Sequence, residues 1–256
     1  MSMALTATAP KIAVTGSFGE FAEGPFPHWI ADDWLEPGLY RALVDSFPEC
    51  PPASGPTGFT LFWGDPDYDA LVSGHPAWKR LFEEFHSQSF IDRIVGAFAP
   101  VVGRDLRVDL SGARYVPYCE TRAEKQRLWL RDPPHAPDEL WVRLDVMQGR
   151  EGYGRKAHLD HRRRLASLLI YMCDADENAM SGGDLVLHGA GGDLVVRPRH
   201  NRMVLFPCHS ASLHSVTPIV SQSAPRSFVQ VTVSSCVDLW EPGPPAWQRV
   251  ARALGF

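Results

Sequence analysis

In the stretch "KAHLDHRRRLASLLIYM", residues 156–172, two imidazoles and a carboxylate fall within four positions, His158, Asp160 and His161, just ahead of an apolar run. Side chains at i and i+2 of a β-strand leave the same face, so His158 and Asp160 would present a ring nitrogen and a carboxylate oxygen side by side. That pair is a two-point clamp for a divalent metal, and equally the polar edge of a loop beside a core strand. A metal site needs a third donor from elsewhere in the sheet, and "SLHSVTPI", residues 212–219, offers His214 inside a later strand. His161 has the opposite parity to His158 and is expected on the other face or in the turn.

Two imidazoles and one carboxylate on one side of a metal leave its other positions open, the donor set of non-haem Fe(II) oxygenase sites. A strand scaffold suits such a site because it keeps the donors still while small molecules occupy the rest. Twelve residues beyond His214, Arg226 opens "RSFVQVTVSS". Its planar guanidinium can grip a carboxylate through two parallel hydrogen bonds. The plainer alternatives are a hydrogen-bonded core histidine at 214 and a strand-edge arginine at 226. Arg162, Arg163 and Arg164 follow Asp160 closely, either as a solvated rim or with one of them steadying an anionic group on a substrate.

These residues need elements to hold them. From residue 140 the chain changes to short runs of strand character: "LWVRLDVM", "LASLLIYMC", "DLVLHG", "DLVVRP", "RMVLFP", "HSVTPIV" and "SFVQVTVSS", punctuated by Gly-rich turns. With no room for crossover helices, they imply an antiparallel barrel or a double-sheet jelly roll. Upstream, "LEPGLYRALVDSFP" and "PAWKRLFEEFHSQSFIDRIVGAF" space their apolar residues as helices do, and Trp78, Leu81, Phe82, Phe85, Ile91, Ile94, Val95 and Phe98 read as a core face. The expected architecture is mainly β with flanking helices, on a double-stranded β-helix (jelly-roll, cupin-like) core. A single domain is expected over 1–256, with helical support and substrate-shaping loops over 1–139, the core over 140–240 and a tail over 241–256.

Composition excludes some functions. The chain is ordinarily globular, 45% hydrophobic and 21% charged, and its 22 prolines and 21 glycines favour turns. A formal charge of -5 gives no overall attraction to nucleic acid. Five scattered cysteines without a CxxC argue against a disulfide framework or a zinc-thiolate cluster and fit a reducing cytoplasm. No apolar run is long enough for a bilayer, and the start lacks the pattern of a secretory signal, so a soluble cytoplasmic protein without nucleic-acid or membrane partners is expected. Oligomeric state is not legible.

In order along the chain, "HLD" (158–160), "SLLIYM" (167–172), "SGGDLVL" (181–187), "PRHNRMVLF" (198–206), "HSVTP" (214–218) and "PRS" (225–227) resemble the pattern of the Fe(II)/2-oxoglutarate-dependent dioxygenases, in their prolyl-4-hydroxylase-like branch. "PFPHWIADDWLEPGLYRALVDSFP" is similar to that family's N-terminal lead-in. The resemblance implies that His158, Asp160 and His214 bind Fe(II) as the catalytic centre and that Arg226 pairs with the C5 carboxylate of 2-oxoglutarate. Tyr171 would hydrogen-bond the same carboxylate or serve as a core tyrosine, and Asn201 would be structural, at a turn. With O2 as the other cosubstrate, succinate and CO2 would be released. Asp160, present where halogenating relatives carry Gly or Ala, implies hydroxylation or a related oxidation.

The substrate is expected to be a small polar molecule, an amino acid or natural-product intermediate, with a protein or peptide side chain as the alternative. Residues 59–69 and 115–141 are expected to shape its pocket. Two readings come from other classes. A metallohydrolase would need a zinc-ligating histidine where "KAHLDH" has Lys156. A non-catalytic cupin-like small-molecule-binding module would normally lack one of the three donors or the arginine.

Overall fold

The computed structural model describes residues 17–49, 58–102, 105–118 and 135–243. Part of the expected substrate-shaping segment (119–134), residues 50–57 and part of the expected tail (244–256) lie outside the described residues, as do Cys50 and Cys119.

Chain order is β1 (Glu20–Ala22), β2 (His28–Ala31), α1 (Pro37–Asp45), β3 (Phe59–Leu61), α2 (Pro66–Gly74), α3 (Pro76–Phe85), α4 (Gln88–Val102) and β4 (Arg114–Tyr115). The core follows as β5 (Glu139–Gly149), β6 (Arg155–His158), β7 (Arg164–Tyr171), β8 (Leu185–Leu187), β9 (Leu194–Val196), β10 (Met203–Pro207), β11 (His214–Val216) and β12 (Arg226–Ser234). The large sheet runs β1-β2-β10-β7-β12-β5-β3, with β4 beside β5, and the small sheet runs β6-β11-β8-β9. All pairings are antiparallel except β4 with β5. This is the expected mainly-β jelly-roll core with flanking helices.

The alternation in β5 shows how the sheet positions the site. Leu140, Val142, Leu144 and Val146 pack on one face with Leu43, Trp78, Leu81, Phe85, Ile91 and Ile94 of the helices. Residues of the other parity, Arg143, Asp145 and Met147, line a cavity between the sheets. The same division runs through β12, with Val229, Val231 and Val233 against the helices and Arg226, Phe228 and Gln230 in the cavity, and through β7, with Ser167 and Leu169 in the cavity. Period-two patterning here separates a dry, helix-covered face from an enclosed polar one, not from solvent.

The helices end where local chemistry stops them. Pro37 opens α1, and the Glu36 carboxylate accepts from Gly38 N and Leu39 N, both at 2.8 Å. The long helical stretch after residue 76 is two helices, because Ser87 intervenes. Its hydroxyl donates to Glu84 O at 2.7 Å and accepts from Phe90 N at 3.2 Å.

Residues 17–118 supply strands as well as helices. The short β1, β2 and β3 extend the large sheet, and β2 pairs directly with β10. No helix among the described residues is long and apolar enough to cross a membrane. Cys173, Cys208 and Cys236 are free thiols.

Candidate metal centre

Antiparallel pairing of β6 with β11 sets His214 directly opposite His158, with ring centroids 4.4 Å apart. One ligand atom each from His158, Asp160 and His214 lie within 4.8 Å of one another. Asp160 arrives there differently from expectation. Strand β6 stops at His158, so Asp160 sits in the following turn and strand parity does not aim it. Instead, Arg164 Nη1 donates to Asp160 Oδ1 at 2.7 Å, and the Cys208 thiol lies 3.6 Å from Oδ2. The turn closes with Arg164 N donating to His161 O at 2.8 Å. His161 is exposed in that turn, away from the three donors, and its Nδ1 accepts from Arg163 N.

Protonation states suit a divalent metal. Nδ1 of His158 lies 2.8 Å from Lys156 O, and Nδ1 of His214 lies 2.9 Å from Ser212 O. A carbonyl only accepts, so both rings carry their proton on Nδ1 and keep the Nε2 lone pair for a ligand role. Burial pushes the His214 imidazole down, favouring the neutral form. Burial also pushes the Asp160 carboxyl up, but the Arg164 guanidinium leads the groups that outweigh it and hold the group below the ordinary carboxylate value. Burial likewise raises the Cys208 thiol well above its usual range, so it stays protonated and donates.

The three donors open into a cavity of about 380 Å³ that also holds Arg226, Tyr153, Arg164, Arg143 and Asp145. Arg226 is 1% exposed. Its Nε donates to Gly183 O at 2.7 Å, its Nη2 donates to the Tyr171 hydroxyl at 3.2 Å, and its buried Nη1 has no partner. Among the described residues no carboxylate forms an ion pair with it. The guanidinium packs over the rings of Phe228, Tyr171 and Tyr153 at 4.5, 5.0 and 5.9 Å. The glycine pair of "SGGDLVL" makes this possible. Gly182 at φ +81° would drive a Cβ to 1.9 Å from Pro218 O, and Gly183 at φ +77° brings its carbonyl under Arg226.

Tyr171 is buried behind Arg226 and does not line the cavity, whereas Tyr153 does. Arg162 turns outward to Asp238 at 2.7 Å, so of the three consecutive arginines Arg164 is the one that lines the cavity. His209 lies in the loop between β10 and β11, buried against Phe26 and Trp240. Thr60 and Phe62, from "FTLFW", form part of the cavity wall. Sequence reasoning did not single out Arg143, Asp145, Tyr153 or Gln230. The signal for the first two was present, since the run 140–147, otherwise apolar, spends two same-face positions on an opposite-charge pair.

Residues 144–232 match the family model of the 2OG-Fe(II) oxygenase superfamily. No curated protein matches the chain. Among solved structures, a prolyl 4-hydroxylase from Phytophthora capsici is similar at a TM-score of 0.51 and 19% identity, covering 90% of this chain and 66% of that one. A prolyl-4-hydroxylase from Pseudomonas putida is similar at 0.47 and 17%, covering 81% and 92%. An oxidoreductase of the 2OG-Fe(II) oxygenase family from Burkholderia pseudomallei is similar at 0.49 and 12%, covering 83% and 86%. At 19% identity the likeness to the Phytophthora capsici structure is one of fold. The match over residues 144–232 spans the HxD segment, the later histidine and the downstream arginine, so the part of this chain that carries the three donors and Arg226 is similar to a superfamily of oxygenases that use Fe(II), 2-oxoglutarate and O2.

Proposed function

We propose that the protein hydroxylates an unactivated C–H of a small polar molecule, with His158, Asp160 and His214 as the iron ligands and Arg226 as the anchor for the C5 carboxylate of 2-oxoglutarate. The observation that carries this reading is the buried, unpaired Arg226 in the same cavity as the three donors. A guanidinium with no counter-ion in an enclosed site is costly unless an anion completes it. Two imidazoles and a carboxylate fit ferrous iron as a donor set.

Ferrous iron held there, together with 2-oxoglutarate and O2, supplies the oxidation, in which the keto acid loses CO2 to become succinate and one oxygen atom passes to the substrate. The chain's own part is positioning. Lys156 O and Ser212 O fix the two imidazoles, and Arg164 holds Asp160 in its turn. Arg226 receives the far carboxylate of the keto acid, and Tyr171 acts through Arg226 by accepting from Nη2. Phe206, Leu169, Met147 and Phe228 exclude water around the reacting atoms. The enclosed volume lies within the range of small-ligand sites, which supports a small molecule over a peptide.

The test is to supply purified protein with Fe(II), 2-oxoglutarate and O2 and screen small molecules and peptides for succinate release and a mass gain of one oxygen. Turnover on small molecules is the expected result. Turnover on peptides alone would replace the substrate reading, and binding of iron and 2-oxoglutarate without any turnover would favour a binding module.

A further inference from the structure

The cavity wall carries more charge than iron and 2-oxoglutarate use. The register of β12 on β5 places Arg226 opposite Gly149 and Thr232 opposite Arg143. The backbones of Arg226 and Arg143 are therefore six residues apart along the strand direction, about 20 Å at the usual rise per residue, and both side chains line the cavity. Arg143 is fixed from two sides. Its Nε and Nη2 lie 3.1 and 2.9 Å from Asp145 Oδ2, and its guanidinium sits over the Phe62 ring at 4.8 Å. Both members of the pair are buried, and both line the cavity. Arg164 reaches the same space from β7 while bonded to Asp160.

Formal charge then constrains the substrate. Among the described residues the three cavity-lining arginines, Arg143, Arg164 and Arg226, face two aspartates, Asp145 and Asp160, which leaves one positive charge in excess. A ferrous ion and the 2-oxoglutarate dianion cancel each other, so the excess survives in the loaded site. Arg155 at the exposed mouth adds to it and does not relieve it. An enclosed, uncompensated charge is unfavourable, and an occupant of opposite sign removes the penalty. A phosphate monoester would overshoot, bringing close to two negative charges. A zwitterionic amino acid or an uncharged peptide segment would leave the excess unmatched.

Resting on the reading of the site given above, we infer that the substrate is a small monoanionic carboxylic acid, one whose carboxylate has no ammonium to balance it, and that Arg143 receives that carboxylate. A guanidinium already oriented by Asp145 and Phe62 loses little freedom on gripping a planar carboxylate.

The test is anaerobic calorimetry on the full chain loaded with Fe(II) and 2-oxoglutarate. The probes are N-acetyl-L-amino acids and short hydroxy acids, each beside its own carboxamide, and the free zwitterionic amino acids. Binding of 2-oxoglutarate is scored first. If the unaltered protein does not bind it, the underlying reading falls and this inference with it. With 2-oxoglutarate bound, at least one acid should bind tenfold or more tightly than its carboxamide. The double variant Arg143→Gln/Asp145→Asn keeps the net charge of the cavity but removes the guanidinium that grips the carboxylate, and should cut that preference at least threefold while 2-oxoglutarate affinity stays within twofold. Arg143→Lys, which keeps the charge but loses the fork, should weaken the acid several-fold and serves if the double variant does not fold. Acid and carboxamide binding alike, no acid binding at all, a stronger response to the zwitterions, or an acid preference undiminished without Arg143 would each overturn the inference and leave the iron and 2-oxoglutarate assignment standing.

Discussion

His158 and His214 face each other across β6 and β11, and each gives its Nδ1 proton to the carbonyl two residues before it, Lys156 O and Ser212 O. The two imidazoles are thus oriented by the backbone of their own strands before any metal arrives. Preorganisation of this kind leaves the third donor, Asp160, as the one that depends on side-chain support.

Substituting His158→Ala or Asp160→Ala should abolish succinate formation, by at least about a hundredfold, because each removes one of only three donors and even outer partners of metal ligands cost about 10–100-fold. The thermal midpoint of the metal-free protein should change little, since neither residue belongs to the apolar core. Iron binding by calorimetry beside a melting curve separates the two effects. Retained succinate release in either variant would contradict the ligand assignment.

Arg226→Gln should raise the 2-oxoglutarate concentration needed for half-maximal rate by roughly 10–100-fold, the equivalent of one charge-assisted pair of about 1.5–3 kcal/mol. Maximal rate at saturating cosubstrate should fall far less. Because Arg226 is buried without a counter-ion, the metal-free variant should be as stable as the parent or more so, and should lose the stabilisation that 2-oxoglutarate confers.

The Arg164–Asp160 contact predicts a pH effect. Burial raises the Asp160 carboxyl, while Arg164 leads the groups that bring it below its ordinary value. In Arg164→Met the burial is less opposed, the carboxyl holds its proton to higher pH, and protons compete with the metal over a wider range. Iron affinity measured against pH should therefore decline on acidification with a midpoint that lies higher in the variant than in the parent. Coincident midpoints would show that Arg164 does not govern the carboxylate.

Much of this site was legible in the residues themselves. HxD spacing, a distant histidine and a basic strand start are features of side-chain type, and the seven apolar runs after residue 140 became β5 and β7 to β12. What pattern could not show was how Asp160 is aimed, because β6 ends two residues early and a side-chain contact replaces strand parity. Nor could it distinguish a polar face turned to solvent from one turned into a cavity, so Arg143 and Asp145 were missed. The difference lies in tertiary burial, which alternation alone does not encode.

Asn201 was legible as a turn residue and proves to tie two parts of the chain together. At φ +56° it accepts from Leu35 N and donates to Leu35 O, both at 2.8 Å, and its own carbonyl accepts from Trp34 N at 3.1 Å. Asn201→Ala should cost about 3 kcal/mol by chemical denaturation, from two lost buried hydrogen bonds, stranded Leu35 groups and a left-handed backbone. Asn201→Gly should recover only the backbone part.

The most direct test of the central claim, that the His158, Asp160, His214 and Arg226 side chains hold iron and 2-oxoglutarate in one cavity, is an anaerobic calorimetric titration of 2-oxoglutarate with and without Fe(II). One equivalent of 2-oxoglutarate per chain should bind, tightly only when iron is present, and Arg226→Gln should weaken it. Binding that ignores both the iron and the arginine, or no binding at all, would contradict the account.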